Sequence, residues 1–155
     1  MARLAEKDGI THLVATPHII SGGYTSTREE ILGAVDGLNA VFVENEVAVQ
    51  VLPGGEFRME PDLPRKLSEG SLLTLNDTGR YLLVELPATF VPGFTSAVLY
   101  ELQLRGVTPI IAHPERNGGF AHEPELLGKM VSRGILTQVT AGSLSGMFGR
   151  EAHRA

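Results

Sequence analysis

Four side chains able to hold a metal ion recur along the chain: His18, Glu56, Glu85 and His113. They follow one another at intervals of roughly 30–40 residues, close to the ~30 of one βαβ unit. Each stands at or beside the end of an apolar run, in Thr16-Pro17-His18, Pro53-Gly54-Gly55-Glu56, Val84-Glu85-Leu86-Pro87 and His113-Pro114-Glu115-Arg116. Singly they say little. A histidine after a strand is often a plain loop residue, and Glu56 after two glycines reads equally well as a solvated turn residue. Glu85 is harder to dismiss, because it interrupts Tyr-Leu-Leu-Val-Glu-Leu-Pro, where an unpaired carboxylate is costly or takes up a proton. It needs a cation: an arginine in a buried ion pair, or a metal. Together, two imidazoles and two carboxylates supply the nitrogen and oxygen ligands that suit zinc, manganese or iron. Arg116 adds a cationic fork suited to bidentate phosphate recognition, although an arginine in a loop is often only surface.

The sequence contains no Cys. Disulfides, thiolate zinc sites, iron–sulfur clusters and cysteine nucleophiles are thereby removed, and any chemistry falls to His, carboxylates, Ser, Thr, Lys, Arg or a metal. His12, inside a strand, His122, in a Glu/Pro loop, and His153, near the end of the sequence, are assigned no role.

The elements that position these residues follow from periodicity. Short apolar runs that read as buried strands occur at Thr11–Ala15, Val47–Leu52, Tyr81–Leu86, Thr108–Ala112 and Ile135–Thr140. Helices alternate with them. Thr27-Arg28-Glu29-Glu30 opens one with acidic residues in its first turn, and Ile31, Leu32, Val35, Leu38 and Phe42 then recur at helical spacing. Thr95–Leu104 and Pro124–Ser132 are two more, each followed by Arg-Gly, a pair suited to a left-handed helix end. Alternation of this kind implies parallel strands covered by helices, as a doubly wound sheet or a β/α barrel. Ligands in both architectures bind at the carboxyl ends of the strands, where these candidates fall.

Composition sets the outer limits. With 155 residues, 43% hydrophobic and 20% charged, one packed domain is expected. A net charge of −5 lacks the basic excess that a nucleic-acid partner requires. Met1 to Asp8 mixes charges where a secretion signal would be apolar, and Tyr81 to Tyr100 is broken by Glu85, Pro87, Pro92 and Gly93. A soluble, cytoplasmic protein without membrane insertion is expected.

The segments Ala15-Thr16-Pro17-His18, Gly54-Gly55-Glu56, Thr74-Leu75-Asn76-Asp77, Arg80 to Pro87, Pro109 to Asn117 and Gln138 to Leu144 occur in this order. This series resembles the bacterial PHP-type protein-tyrosine phosphatases of capsule and exopolysaccharide biosynthesis, members of the polymerase and histidinol phosphatase superfamily. The run Pro109-Ile-Ile-Ala-His-Pro-Glu-Arg-Asn117 carries most of the specificity. The resemblance implies a distorted β/α (TIM-like) barrel of about seven strands with a metal cluster, manganese by expectation and iron or zinc as alternatives, at its carboxyl rim. By it, His18, Glu56, Glu85 and His113 match metal ligands and Arg116 matches a catalytic arginine that holds the substrate phosphate. A metal-activated water would attack phosphorus, with no phosphoenzyme. The implied substrate is phosphotyrosine on a cytoplasmic tyrosine autokinase that controls polysaccharide export.

The sequence also departs from that pattern. Residues 1–155 are expected to form a single PHP-type domain of about five βα units, lacking the first strand, with its Asp-x-His-x-His-like element, and the C-terminal part of the barrel, with its Ser-Asp-x-His-like element. Reduced turnover is expected from such a chain, and open sheet edges would favour self-association into a homo-oligomer. Alternative readings are a small-molecule phosphatase of the same superfamily and an inactive fragment that serves as a binding module. An amidohydrolase would want a rim lysine, whereas Lys7, Lys66 and Lys129 fall in expected helices or loops.

Overall fold

A computed structural model describes residues 1–149 and 152. The elements run α1 (Ala2–Lys7), β1 (His12–Val14), β2 (His18–Ile19), α2 (Arg28–Glu44), β3 (Gln50–Leu52), β4 (Glu56–Arg58), α3 (Leu63–Ser68), β5 (Tyr81–Glu85), α4 (Thr95–Leu104), β6 (Thr108–Ala112), α5 (Gly118–His122), α6 (Pro124–Val131), β7 (Leu136–Gln138) and α7 (Ala141–Leu144). Every strand pairing is parallel, in a five-stranded sheet of order β2-β4-β5-β6-β7 and a two-stranded sheet β1-β3. The alternation read from the sequence is therefore a mixed α/β fold with parallel sheets.

The core is the middle of the larger sheet. Leu82, Val84 and Ile111 on β5 and β6 are fully buried, with Val98, Leu99 and Leu102 of α4 among the buried residues of the same cluster. The helix α2 is set by its N-terminus: the Thr27 side chain accepts from the Glu30 backbone N–H while the Glu30 carboxylate accepts from the Thr27 N–H, a complete capping box. Its Ile31 and Val35 are buried, as is Val51 of β3. Asn39 then satisfies the outward edge of β3, donating to the Val51 carbonyl and accepting from the Val51 N–H, both at 2.8 Å. Edge-strand groups paired in this way are closed to other chains.

One expectation needs correction. The first two strands are each broken: a segment ends at Val14 or Leu52 and resumes at His18 or Glu56. Pro17 and Pro53 lie in the breaks, where a residue without an N–H cannot continue the ladder. His18 and Glu56 therefore begin the strand segments β2 and β4, rather than sitting in loops. Among the described residues the larger sheet is open, with β2 and β7 at its edges, and no barrel closes, in keeping with the incomplete barrel expected. His153 lies outside the described residues. No described helix is long and apolar enough to cross a membrane.

Candidate metal centre

Strand register brings the first two candidates together. Parallel pairing sets His18 opposite Glu56 and Arg58 opposite Glu85. Gly55 sits beside this pairing, where a Cβ would stand 2.8 Å from the Phe57 ring and 2.9 Å from the tip of Ile19. His113 follows β6 in the left-handed region, at φ 34° and ψ 55°, a strained setting for a residue with a Cβ. Its N–H donates to the Gln138 carbonyl of β7 at 2.7 Å, so β7 holds the turn. Beyond it, buried Asn117 donates from Nδ2 to the Pro87 carbonyl at 2.6 Å and accepts at Oδ1 from the Phe120 N–H at 3.0 Å. That fastens the turn after β6 to the loop after β5.

The four candidates converge. His113 Nε2 lies 3.0 Å from Glu56 Oε1 and 3.6 Å from Glu85 Oε1. His18 Nδ1 lies 3.8 Å from Glu56 Oε1 and 3.6 Å from Glu85 Oε2. Two donors on one ion, each about 2.1 Å from it, stand no more than about 4.2 Å apart, and all four separations fall within that limit. One donor atom each from His18, Glu56 and Glu85 forms a group whose members are all within 4.8 Å of one another; His113 stands beside this triad, on the other oxygen of Glu85. His18 is the half-exposed member at 49%, against 12% for Glu56 and 15% for Glu85.

The electrostatics of the cluster suit a cation. Glu85 Oε2 is buried and receives no hydrogen bond, although His18 Nδ1 and Arg58 Nη2, the latter at 3.3 Å, are ion-pair neighbours. Such an oxygen fits a coordination position. Both answers to the Glu85 charge are thus present: an arginine, Arg58, and a metal-ligand geometry. Burial pushes the Glu56 carboxyl up, but the His113 hydrogen bond and charge, with His18 and Arg116, outweigh it and hold the group below its usual range. The Glu56 hydrogen bond raises His113 above the ordinary imidazole value, against the opposing effect of burial.

Arg116 is exposed, and its charge reaches both Glu56 and His113. It lines, with Glu85, His113 and Asn117, a cavity of about 70 Å³. One water needs only ~10–15 Å³ on the same measure, so there is room for a phosphoryl-sized group. A carboxylate-rich metal site with an arginine beside such a cavity can bind and polarise an oxyanion.

A family model, capsular polysaccharide synthesis CpsB/CapC, matches residues 1–155. The chain belongs to the CpsB/CapC family. Among CpsB/CapC relatives, tyrosine-protein phosphatase YwqE of Bacillus subtilis (strain 168) is 40% identical over 151 residues, 97% of this chain and 59% of that protein. Tyrosine-protein phosphatase CpsB of Streptococcus pneumoniae is 28% identical over 148 residues, covering 93% of this chain and 60% of its own length. One solved chain comes from the crystal structures of YwqE from Bacillus subtilis and CpsB from Streptococcus pneumoniae, described as unique metal-dependent tyrosine phosphatases. It is similar with a TM-score of 0.93 and 40% identity, over 99% of this chain and 62% of its own. The chain thus spans about three fifths of the CpsB/CapC relatives it matches.

Arg58 and Asn117 have no role in the sequence reading. The signal for Arg58 was available: two residues beyond Glu56 in a strand is the same face. Its partner Glu85 was not, because cross-strand register is not written locally in the sequence.

Proposed function

We propose that the chain is part of a metal-dependent protein-tyrosine phosphatase. His18, Glu56, Glu85 and His113 would hold the metal, manganese in this reading, and Arg116 the substrate phosphate. The observation that carries it is the convergence of His18 and His113 on the Glu56 and Glu85 carboxylates, with the buried Glu85 Oε2 left without a hydrogen bond. The similarity to YwqE and CpsB supports the same reading.

The divalent cation, when bound, supplies charge neutralisation for phosphoryl oxygens and a water acidified towards neutral pH. The chain's own residues do the rest. Glu56 and Glu85 fix the anionic floor, His113 is locked to Glu56, and Arg116 meets the non-bridging oxygens with its forked N–H groups at the mouth of the cavity. The open parallel sheet is, in this reading, the middle of a distorted β/α barrel forming one PHP-type domain. The substrate class is phosphotyrosine on a cytoplasmic tyrosine kinase of polysaccharide biosynthesis.

The test is phosphate release from a phosphotyrosine peptide and from histidinol phosphate, with manganese and with a chelator. The expected result is metal-dependent hydrolysis of the peptide in preference to histidinol phosphate, lost in His113→Ala. Preference for histidinol phosphate would assign a small-molecule phosphatase, and hydrolysis that survives the chelator would overturn the metal centre.

A further inference from the structure

An exposed arginine samples many rotamers and loses that freedom on binding a ligand. A contact from a different part of the chain restrains Arg116. Its guanidinium carbon sits 4.4 Å from the centroid of the Phe148 ring, well inside the ~6 Å range of a cation–π contact. The segment that carries Phe148 is in turn tied to the turn that carries Arg116. Buried Glu115 accepts at Oε1 from the Ser143 hydroxyl at 2.7 Å and from the Thr140 N–H at 3.2 Å.

Local packing sets the ring in place. Phe148 lies against Gly142, where a Cβ would stand 2.8 Å from the ring carbon Cε2. The Met147 N–H donates to the Gly142 carbonyl at 2.8 Å, closing the chain back on itself after α7. Phe148 nonetheless remains 43% exposed, so burial alone does not account for its position. A guanidinium carries five N–H donors, more than one ring contact can occupy, so donors remain for an oxyanion.

We propose that Phe148 is a positioning residue: held against the Arg116 guanidinium and anchored through Gly142 and Glu115, it keeps that group at the cavity shared with Glu85 and His113. This rests on the phosphate-binding role of Arg116 given above and adds to it the group that orients the arginine. The Phe148 ring acts through Arg116 and makes no contact with the phosphoryl group itself.

The experiment is a calorimetric titration of inorganic phosphate into the manganese-loaded chain, for wild type, Phe148→Leu, Phe148→Tyr, Arg116→Met and the Arg116→Met/Phe148→Leu double variant. Manganese affinity, urea midpoint and, in the metal-free chain, the side-chain proton shifts of Arg116 are followed alongside. Phe148→Leu is expected to weaken phosphate binding by about 3- to 5-fold, the size of a surface cation–π contact. Manganese affinity and urea midpoint stay unchanged, and the ring-current shift of the Arg116 protons is lost. Phe148→Tyr, which keeps the ring face, restores both, and Phe148→Leu has no further effect once Arg116 is methionine.

Phosphate binding by Phe148→Leu equal to wild type overturns the proposal, as does an equal loss in the Arg116→Met background. A parallel fall in manganese affinity and urea midpoint also overturns it, making Phe148 a packing residue. A wild-type chain that takes up manganese but binds no phosphate overturns the role of Arg116 as well.

Discussion

The middle and the flanks of this α/β fold are built from the same parallel strands and differ in what covers them. Leu82, Val84 and Ile111 of β5 and β6 are 0% exposed, whereas Leu13 and Val14 of β1 and Leu136 of β7 are 37%, 41% and 45% exposed. Glu56, Glu85 and His113 sit on or just after the central strands β4, β5 and β6; His18 sits on the edge strand β2 and is the most exposed of the four. The site thus has three members braced by the core and one at its margin. Its rigidity is borrowed from the centre, and the flanks contribute positioning contacts such as Gln138 to His113.

The sharpest way to break this comparison is a matched pair of truncations. Leu82→Ala should lower unfolding free energy in urea by about 2–5 kcal/mol, the cost of a cavity in a well-packed core. Leu136→Ala should change it by less than about 0.5 kcal/mol. Equal losses would mean that the flanks are as tightly packed as the centre.

The next effect separates the site members from one another. Glu85→Gln should weaken manganese binding by more than the roughly 10–100-fold that loss of an outer partner causes. His18→Ala should weaken it too while leaving the urea midpoint close to wild type. His113→Ala should move both quantities, because His113 is hydrogen-bonded to Glu56 inside the braced part.

Smaller still is the cap of α2, which packs on the β1–β3 flank. Thr27→Ala removes one half of the capping box and should cost about 1 kcal/mol, measured by the same urea titration.

The smallest effect is electrostatic. Burial raises Glu60, but hydrogen bonds from Lys66 and Ser21 outweigh it and hold its carboxyl below the usual range. Burial lowers Lys66, yet its contacts with Glu60 and Asp62 leave it raised. A depressed carboxyl stabilises above its unfolded value and loses that contribution as pH falls through its folded value. A raised lysine stabilises below its unfolded value and loses that contribution as pH rises through its folded one. The stability difference between wild type and Glu60→Gln should therefore be flat from about pH 5 to pH 10, no more than about 1 kcal/mol, and should shrink outside that window.

Much of this arrangement is legible in the sequence. The helices α2, α4 and α6 are long enough for periodicity and end signals to appear, at Thr27, at Arg105-Gly106 and at Arg133-Gly134. The burial of Glu85 follows from its apolar neighbours. Segments as short as His18–Ile19 and Glu56–Arg58 carry no period, so the breaks in the first two strands were hidden, although Pro17 and Pro53 mark them. The short helices α3, α5 and α7 escaped for the same reason. Arg58 against Glu85 and Phe148 against Arg116 were invisible because each joins residues distant in the sequence through register or a returning turn.

The most direct test of the central site is a titration of the purified chain with manganese, followed by electron paramagnetic resonance, for wild type, Glu56→Gln and Glu85→Gln. Saturable, chelator-reversible binding by wild type that falls steeply in both variants is the predicted result. Weak, unsaturable uptake that is the same in all three proteins would contradict a metal centre built from these residues.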